Sequence, residues 1–524
     1  MPQNTAREVV IIGAGPAGLT AAYDLSKAAI NSIVLEKDTS VGGISQTVKY
    51  KGFHFDIGGH RFFTKVKAVE EMWHEVLPRG DFLRRQRMSR IYFDKKFFHY
   101  PLRIVSTLHK MGWWNSFLAL LSYLKAKARP QIPALTFEQY ISNHFGKRLY
   151  ETFFKSYTEK VWGIPCSEIR ADWAAQRIKD LSIKTALKTA FMKSIFRHRA
   201  MDKAGVIKTL IDEFDYPRRG PGMMWEEVAK IVEERGGEIR LGTGVERIIW
   251  NKDRVEAVET ETNGRRQLVG GTDFVSTMPL RELISKFDPP VPEEILLAAQ
   301  TLAYRDFITV ALIINKPDVF PDNWIYIHEP NVKLGRIQNF KNWSPEMVPD
   351  QEKTCLGLEY FCFEGDGLWT MPDEELKELG KQELIKIGLI VGHEVEDGAV
   401  VRMPKAYPVY DSVYRESLER IRGFLSGIVN LQTVGRNGMH KYNNQDHSML
   451  TAMLAVKNIF GGKHDLWQVN VEQEYHEEVV SHQEASHEEG SRQLRLAAST
   501  QPLVPHRIGD ASLKSASFKR ASGG

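Results

Sequence analysis

The chain has 524 residues, 42% hydrophobic and 26% charged, with a net charge of +4. That balance is ordinary for a globular protein, and the length suits roughly three domains. So small a charge on so long a chain argues against nucleic acid as a partner and leaves local basic patches open for an anionic small molecule. Three cysteines, Cys166, Cys355 and Cys362, form no C-x-x-C and no metal-ligand spacing, so no metal site and a reducing, cytoplasmic compartment are expected. The first apolar strand begins within ten residues of Met1, and on that ground no signal peptide is expected. No apolar run reaches the ~18–20 residues needed to span a bilayer.

Val9-Val10-Ile11-Ile12 is a β-branched run expected to form a buried parallel strand. It leads into Gly13-Ala14-Gly15-Pro16-Ala17-Gly18, a G-x-G-x-x-G turn, and then into helix-forming residues 19–25. A second strand, residues 32–35, ends on Glu36. Strand, glycine turn, helix, strand and terminal acid at this spacing predict a dinucleotide-binding unit. Gly13 permits the tight turn, Gly15 lets backbone approach a pyrophosphate, and Gly18 lets helix pack on strand. The helix N-terminus offers free N–H groups and a positive dipole end. Pro16 suits a first helical position, and Glu36 can accept from ribose hydroxyls.

Ser40-Val41-Gly42-Gly43 follows the acid directly. A second glycine pair there resembles the FAD-binding arrangement of glutathione-reductase and amine-oxidase-like flavoproteins. A plain glycine turn is the alternative. The alternation Phe53, Phe55, Ile57 suits a strand that runs into Gly58-Gly59, with His60 directly after. The histidine is either a packed residue or a group aimed at a cofactor.

Residues 67–205 are expected to be a mostly helical insertion, with a hairpin turn at Asp94-Lys95-Lys96 between the strands Ser89–Phe93 and Phe97–Tyr100. Met111 to Leu124 holds Trp113 and Trp114 between flanking basic residues. It reads as a buried or partly exposed helix, with shallow membrane contact as the alternative. Residues 206–299 return to α/β character. There the turn Arg218-Arg219-Gly220-Pro221-Gly222 precedes a helix, and Asn263-Gly264 signals a hairpin. Arg219 is read either as an anion contact at the helix start or as a solvated cation. Residues 300–420 are expected to form a sheet-rich second domain, and 421–462 to close the nucleotide domain together with 1–66 and 206–299. From 466 to 524 the composition turns to Glu, His, Ser and then basic residues, and a disordered tail is expected. His476, His482 and His487 are weakly suggestive of a metal tract.

The span 7–462 resembles the flavin-dependent UDP-galactopyranose mutases. It also looks like FAD proteins of the amine oxidase and protoporphyrinogen oxidase type. The likeness rests on Asp56-Ile57-Gly58-Gly59-His60, on Arg219-Gly220, on Arg336 with Asn342-Trp343-Ser344-Pro345, on Ala406-Tyr407-Pro408, on Lys441-Tyr442, and on Asn444-Gln445-Asp446-His447-Ser448. Departures are Gly220-Pro221-Gly222 and a short stretch between Tyr442 and Gln445.

The resemblance implies an α/β fold with a Rossmann-like, glutathione-reductase-type FAD domain, a helical insertion and a sheet-rich substrate domain. FAD is expected on Gly13, Gly15, Pro16, Ala17, Gly18, Glu36, Lys37, Gly43, Ile44, Gly59, His60, Val245, Gly435, Arg436, Asn444, Gln445, Asp446 and Ser448. His60, Arg219, Arg336, Tyr407 and Tyr442 are the implied catalytic set, with two arginines and two tyrosines holding a nucleotide-sugar diphosphate. Reduced flavin N5 would attack the anomeric carbon. The competing expectation is an oxidase or desaturase taking hydride from an apolar substrate. No second G-x-G-x-x-G is present, so a nicotinamide reductant would share the substrate cleft.

Overall fold

The computed structural model describes residues 7–100, 102, 104–171 and 213–470. All of them lie in the first of the chain's two compact units, Met1–Glu478. The fold is the expected α/β arrangement, a Rossmann-like domain joined to a sheet-rich one.

Five parallel strands form the nucleotide sheet: β1 Val9–Ile12, β2 Ser32–Leu35, β9 Glu238–Arg240, β13 Asp273–Ser276 and β20 Leu431–Thr433, in the order β20-β13-β1-β2-β9. Side chains of a strand alternate between faces. Val9 and Ile11 accordingly pack under the helices Pro16–Lys27, Gly222–Glu234 and Gln445–Ile459. Val10 and Ile12 face the antiparallel strands β10 Gly244–Asn251 and β11 Arg254–Thr262, and the helix Tyr414–Leu425. The near-continuous Val/Ile composition of β1 is what burial on both faces demands.

The second sheet has seven strands. Its centre is β15 Tyr304–Ile314, buried along its whole length between β18 Thr354–Cys362 and β19 Val395–Pro408. β17 Arg336–Asn339, β16 Trp324–Ile327, β6 Ser89–Phe93 and β7 Lys96–His99 continue it outward from β18. Ile308, Val310 and Leu312 of β15 pack beneath the helix Asp373–Lys386, whereas Phe307 turns to the opposite face, where the site lies.

Three sequence expectations change. Residues 67–205 are not uniformly helical. Besides the expected hairpin of β6 and β7, the strand β5 Phe82–Gln86 lies there and pairs antiparallel with Glu213–Pro217, and β6 pairs parallel with β16, more than two hundred residues later. The helix Lys67–Val76 packs Val69, Met72 and Trp73 into the nucleotide-domain core. Finally, residues 466–470 are ordered chain. Leu466 is buried in that core, and the Lys441 ammonium donates to the Trp467 carbonyl at 2.9 Å. The rest of the tail, including His476, His482 and His487, lies outside the described residues.

Both hairpins form where expected. Asn263 and Gly264 each take positive φ (51° and 75°), as do Asp94 and Lys95 (49° and 56°), the pairing a tight two-residue turn requires.

Candidate active site

The phosphate turn is built by close packing. Gly13 has φ +98°, and its N–H donates to the Leu35 carbonyl at 2.8 Å. A Cβ on Gly18 would lie 1.9 Å from the Gly13 carbonyl oxygen, so only glycine lets the helix Pro16–Lys27 begin there. A Cβ on Gly15 would meet nothing within 4 Å. The turn is therefore tight against protein on one side and open in front of Gly15, as a phosphate cradle must be.

Gly43 closes on this turn, its would-be Cβ 3.3 Å from the Gly15 Cα, and the Gly42 N–H donates to the Ala14 carbonyl at 2.8 Å. Gly435, at φ +85°, approaches Ala17 to 3.1 Å by the same measure. Glu36 is buried and accepts from the Ala14 N–H at 2.6 Å and the Asp38 N–H at 3.0 Å. Burial raises its pKa, and those two bonds oppose the rise. Ile44 packs beside Phe307. Val245 is buried near the start of β10, where a Cβ on Gly244 would lie 3.9 Å from the Lys37 Cβ.

A second group of side chains collects where the helical cluster Phe137–Ile169 meets the face of β15 that carries Phe307. Tyr407 and Tyr442 stack with ring centroids 5.5 Å apart and planes within 14°. Trp162, at the end of the helix Ser156–Trp162, stands 6.4 and 6.2 Å from the two rings. The Arg436 guanidinium lies over both, 5.4 Å from Tyr407 and 5.0 Å from Tyr442. Its Nε donates to the Asn443 carbonyl at 2.8 Å and its Nη1 to the Ala406 carbonyl at 3.1 Å, which fix its plane. Burial pushes the Tyr407 phenol up to about 12, with Tyr442 adding to the rise and Arg336 opposing it.

Arg336 reaches the same place from β17. Its Nε donates to Glu359 at 2.5 Å, and Glu359, fully buried on β18, also accepts from the Gln338 amide at 2.8 Å. Among the described residues, neither Arg336 Nη donates to a protein atom. Burial alone would lower the guanidinium pKa, but Glu359 and the nearby phenols hold it well above its usual value. Gly58 and Gly59 pass over this pair. A Cβ on Gly58 would sit 3.8 Å from Arg336 Nη2, and one on Gly59 would sit 2.9 Å from Gln338 Nε2.

His60 follows, its Nδ1 buried without a hydrogen-bond partner. Burial, with the positive charges of Arg436 and Arg336, lowers its pKa to about 3, so the imidazole is neutral at ordinary pH. The helix Gln445–Ile459 begins against the same loop. The Gln445 amide donates to the Arg61 carbonyl at 3.4 Å, and Gln445 Oε1 is buried without a partner. Asn444 caps this helix with His447 in a capping box, so Gln445, Asp446 and Ser448 occupy its first turn.

Arg219 is not part of this group. Its loop is pinned elsewhere: the Gly222 N–H donates to Thr47 Oγ1 at 3.0 Å, and the hydroxyls of Thr47 and Tyr216 donate to the buried Asp56 at 3.1 and 2.5 Å. The Arg219 side chain is 67% exposed and lies 4.0 Å from Glu346, which also pairs with Arg218 at 2.7 Å. The solvated-cation reading describes this placement.

Sequence reading passed over Glu359, Trp162 and Tyr157. Tyr157 is half-buried, stacks on His328 at 4.5 Å, and feels the charge of Arg336. Glu359 had a signal: it is the one acid in an otherwise apolar strand, and a buried acid needs a partner.

A flavin dinucleotide fits these residues: an open cradle at Gly15, an acid directly after the second strand, and buried polar atoms at His60 and Gln445 that await a partner. The family model "Flavin containing amine oxidoreductase" matches residues 16–403, and the chain belongs to that family of FAD-binding enzymes. The "Probable flavin-containing monoamine oxidase A" of Dictyostelium discoideum is 36% identical over 73 residues, 14% of this chain and 16% of that protein. The "Probable UDP-galactopyranose mutase" of Klebsiella pneumoniae is 26% identical over 176 residues, 32% of this chain and 43% of that protein. The matched stretches thus span less than half of these relatives' lengths.

Among solved structures, reduced UDP-galactopyranose mutase superposes with a TM-score of 0.76 at 19% identity, over 90% of this chain and 99% of that one. Putrescine oxidase bound to putrescine gives 0.55 at 16% identity, over 87% and 99%. At these identities the likeness is one of fold.

Proposed function

We propose that this chain is a mutase-type flavoenzyme that uses reduced FAD to act on a nucleotide-diphosphate sugar. One observation carries the reading. Arg336 is half-buried, tied through Nε to the fully buried Glu359, and among the described residues gives neither Nη to a protein atom, beside two phenols and a second arginine. A fixed guanidinium fork with hydroxyl donors alongside is suited to a diphosphate.

The cofactor would lie with its pyrophosphate before Gly15 and its ribose near Glu36. Its reactive end would face His60 and the first turn of the helix Gln445–Ile459. Bound and reduced, it supplies a nitrogen nucleophile for the sugar's anomeric carbon. The chain's own residues do the rest. The Arg336 Nη groups hold the diphosphate leaving group and keep it from escaping. The hydroxyls of Tyr407 and Tyr442 donate to its oxygens. Neutral His60 accepts or orients a proton through Nδ1. Trp162 and the stacked tyrosines exclude water from that end. The reductant is a separate matter: family and fold speak for FAD alone.

A specific observation favours a second reading, an oxidoreductase of the amine oxidase type. Glu359 already neutralises Arg336, and aromatic faces such as Tyr407 and Tyr442 also receive organic cations.

One experiment separates the two. The oxidised and the dithionite-reduced protein are each incubated with UDP-galactose and other nucleotide sugars, and products are resolved by chromatography. Ring-size conversion by the reduced form alone is the expected result. Oxygen consumption with an amine, and no turnover of any nucleotide sugar, would replace the mutase reading by the oxidase one.

A further inference from the structure

The helix Trp113–Ala128 wears its apolar face outward. Trp113 is 91% exposed and Trp114 67%, and Phe117, Leu120, Leu121 and Leu124 are all exposed too. Trp113, Phe117, Leu120, Leu121 and Leu124 fall at i, i+4, i+7, i+8 and i+11, one stripe of the helix. The opposite side is the anchored one. Ala119 is buried there, and Gly146 comes so close that a Cβ on it would lie 2.6 Å from the Tyr123 nitrogen. In the loop that follows, Ile132 and Leu135 are 83% and 65% exposed. An apolar stripe this long and continuous needs something to cover it.

The charge around it says what. Residues 100–137 contain five Lys or Arg and no Asp or Glu. Lys125, Lys127 and Arg129 follow the stripe, and among the described residues none of them pairs with a carboxylate. A second copy docking the same patch on itself would set these cations against each other. No described helix is long and apolar enough to cross a membrane. Tryptophans at a helix start, a leucine-rich stripe and long cationic side chains at its end are what an in-plane helix presents to headgroups and acyl chains.

We infer that the outer face of the helix Trp113–Ala128 docks the protein onto a membrane surface rich in anionic lipid. Trp113, Trp114 and Phe117 enter the interface, and Lys125, Lys127 and Arg129 meet the headgroups.

The test is co-sedimentation of the full-length, flavin-loaded protein with two kinds of vesicle: phosphatidylcholine alone, and phosphatidylcholine mixed with phosphatidylglycerol. Binding to the anionic vesicles, little binding to the neutral ones, and loss of binding as salt rises are expected. The Lys125→Glu/Lys127→Glu variant should bind at least about thirtyfold more weakly, since two attractions are lost and two repulsions gained. The Trp113→Ser/Trp114→Ser variant should also lose binding. Both should retain bound flavin, because these side chains are exposed. If the tryptophan variant precipitates, the lysine variant carries the test. Three results would overturn the inference: the wild-type protein remaining in the supernatant with anionic vesicles, binding that neither variant weakens, or a solution dimer that the tryptophan variant splits.

Discussion

Replacing Arg336 by Lys tests the proposed anion fork most directly. The Nε of Arg336 is committed to Glu359, so the nitrogens left for a ligand are the two Nη groups. Lysine keeps the charge but has one nitrogen for both tasks, and the buried Glu359 competes for it. A hydrogen bond to a charged group contributes about 1.5–3 kcal/mol, so exchanging a bidentate contact for one shared ammonium should cost about 2–3 kcal/mol. That corresponds to a dissociation constant about 30- to 150-fold higher at 25 °C. The assay is calorimetric titration of UDP into the reduced protein, with the visible flavin spectrum recorded on the same samples. The expected variant has an unaltered spectrum and weaker UDP binding. Unchanged affinity would show that the diphosphate does not lie on Arg336. Loss of flavin would show that this arginine belongs to the cofactor's site instead.

Gly15→Val should give a folded, colourless protein, because its side chain would project into the open space before the turn, where the pyrophosphate belongs; stoichiometric flavin after reconstitution would refute the cradle. Asp56 gives a pH prediction. Burial pushes its carboxyl up to about 8, against the donated bonds of Tyr216 and Thr47. A pKa raised in the folded state means that the native protein holds the proton more tightly than the unfolded chain. The group's contribution is complete below its unfolded value and is lost as pH rises toward about 8. The thermal midpoint of Asp56→Asn should therefore gain on the wild type between acidic and alkaline buffer; a gap that does not change with pH would refute this.

What could be read from the sequence was what neighbouring residues decide. The phosphate turn, the acid after the second strand and the turns at Asn263-Gly264 and Asp94-Lys95 all depend on local backbone chemistry. So did the choice of His60, since its two preceding glycines are adjacent in the chain. Arg219 misled for the complementary reason. Its glycine-rich surroundings resemble an anion loop, but its fate is set by Glu346, a residue far away in sequence. The strand Phe82–Gln86 was absorbed into a helical block because its partner is Glu213–Pro217, outside any local window. The helix at Gln445 starts earlier than its apolar residues suggest, because Asn444 caps it. Tyr157 and Trp162 carry ordinary helix patterning and gain their place only when Tyr326 of β16 and Tyr407 of β19 are packed beside them.

The floor beneath the histidine loop is shared. Gly59 rests on Gln338, Gln338 donates to Glu359, and Glu359 orients Arg336. A side chain at position 59 would displace the amide, free one carboxylate oxygen and let the guanidinium swing. On the proposed reading, the group that grips the anion and the loop that overlies the cofactor thus stand on one hydrogen-bonded joist. The alignment is complete before any ligand arrives, and little rotational freedom remains to be given up on binding.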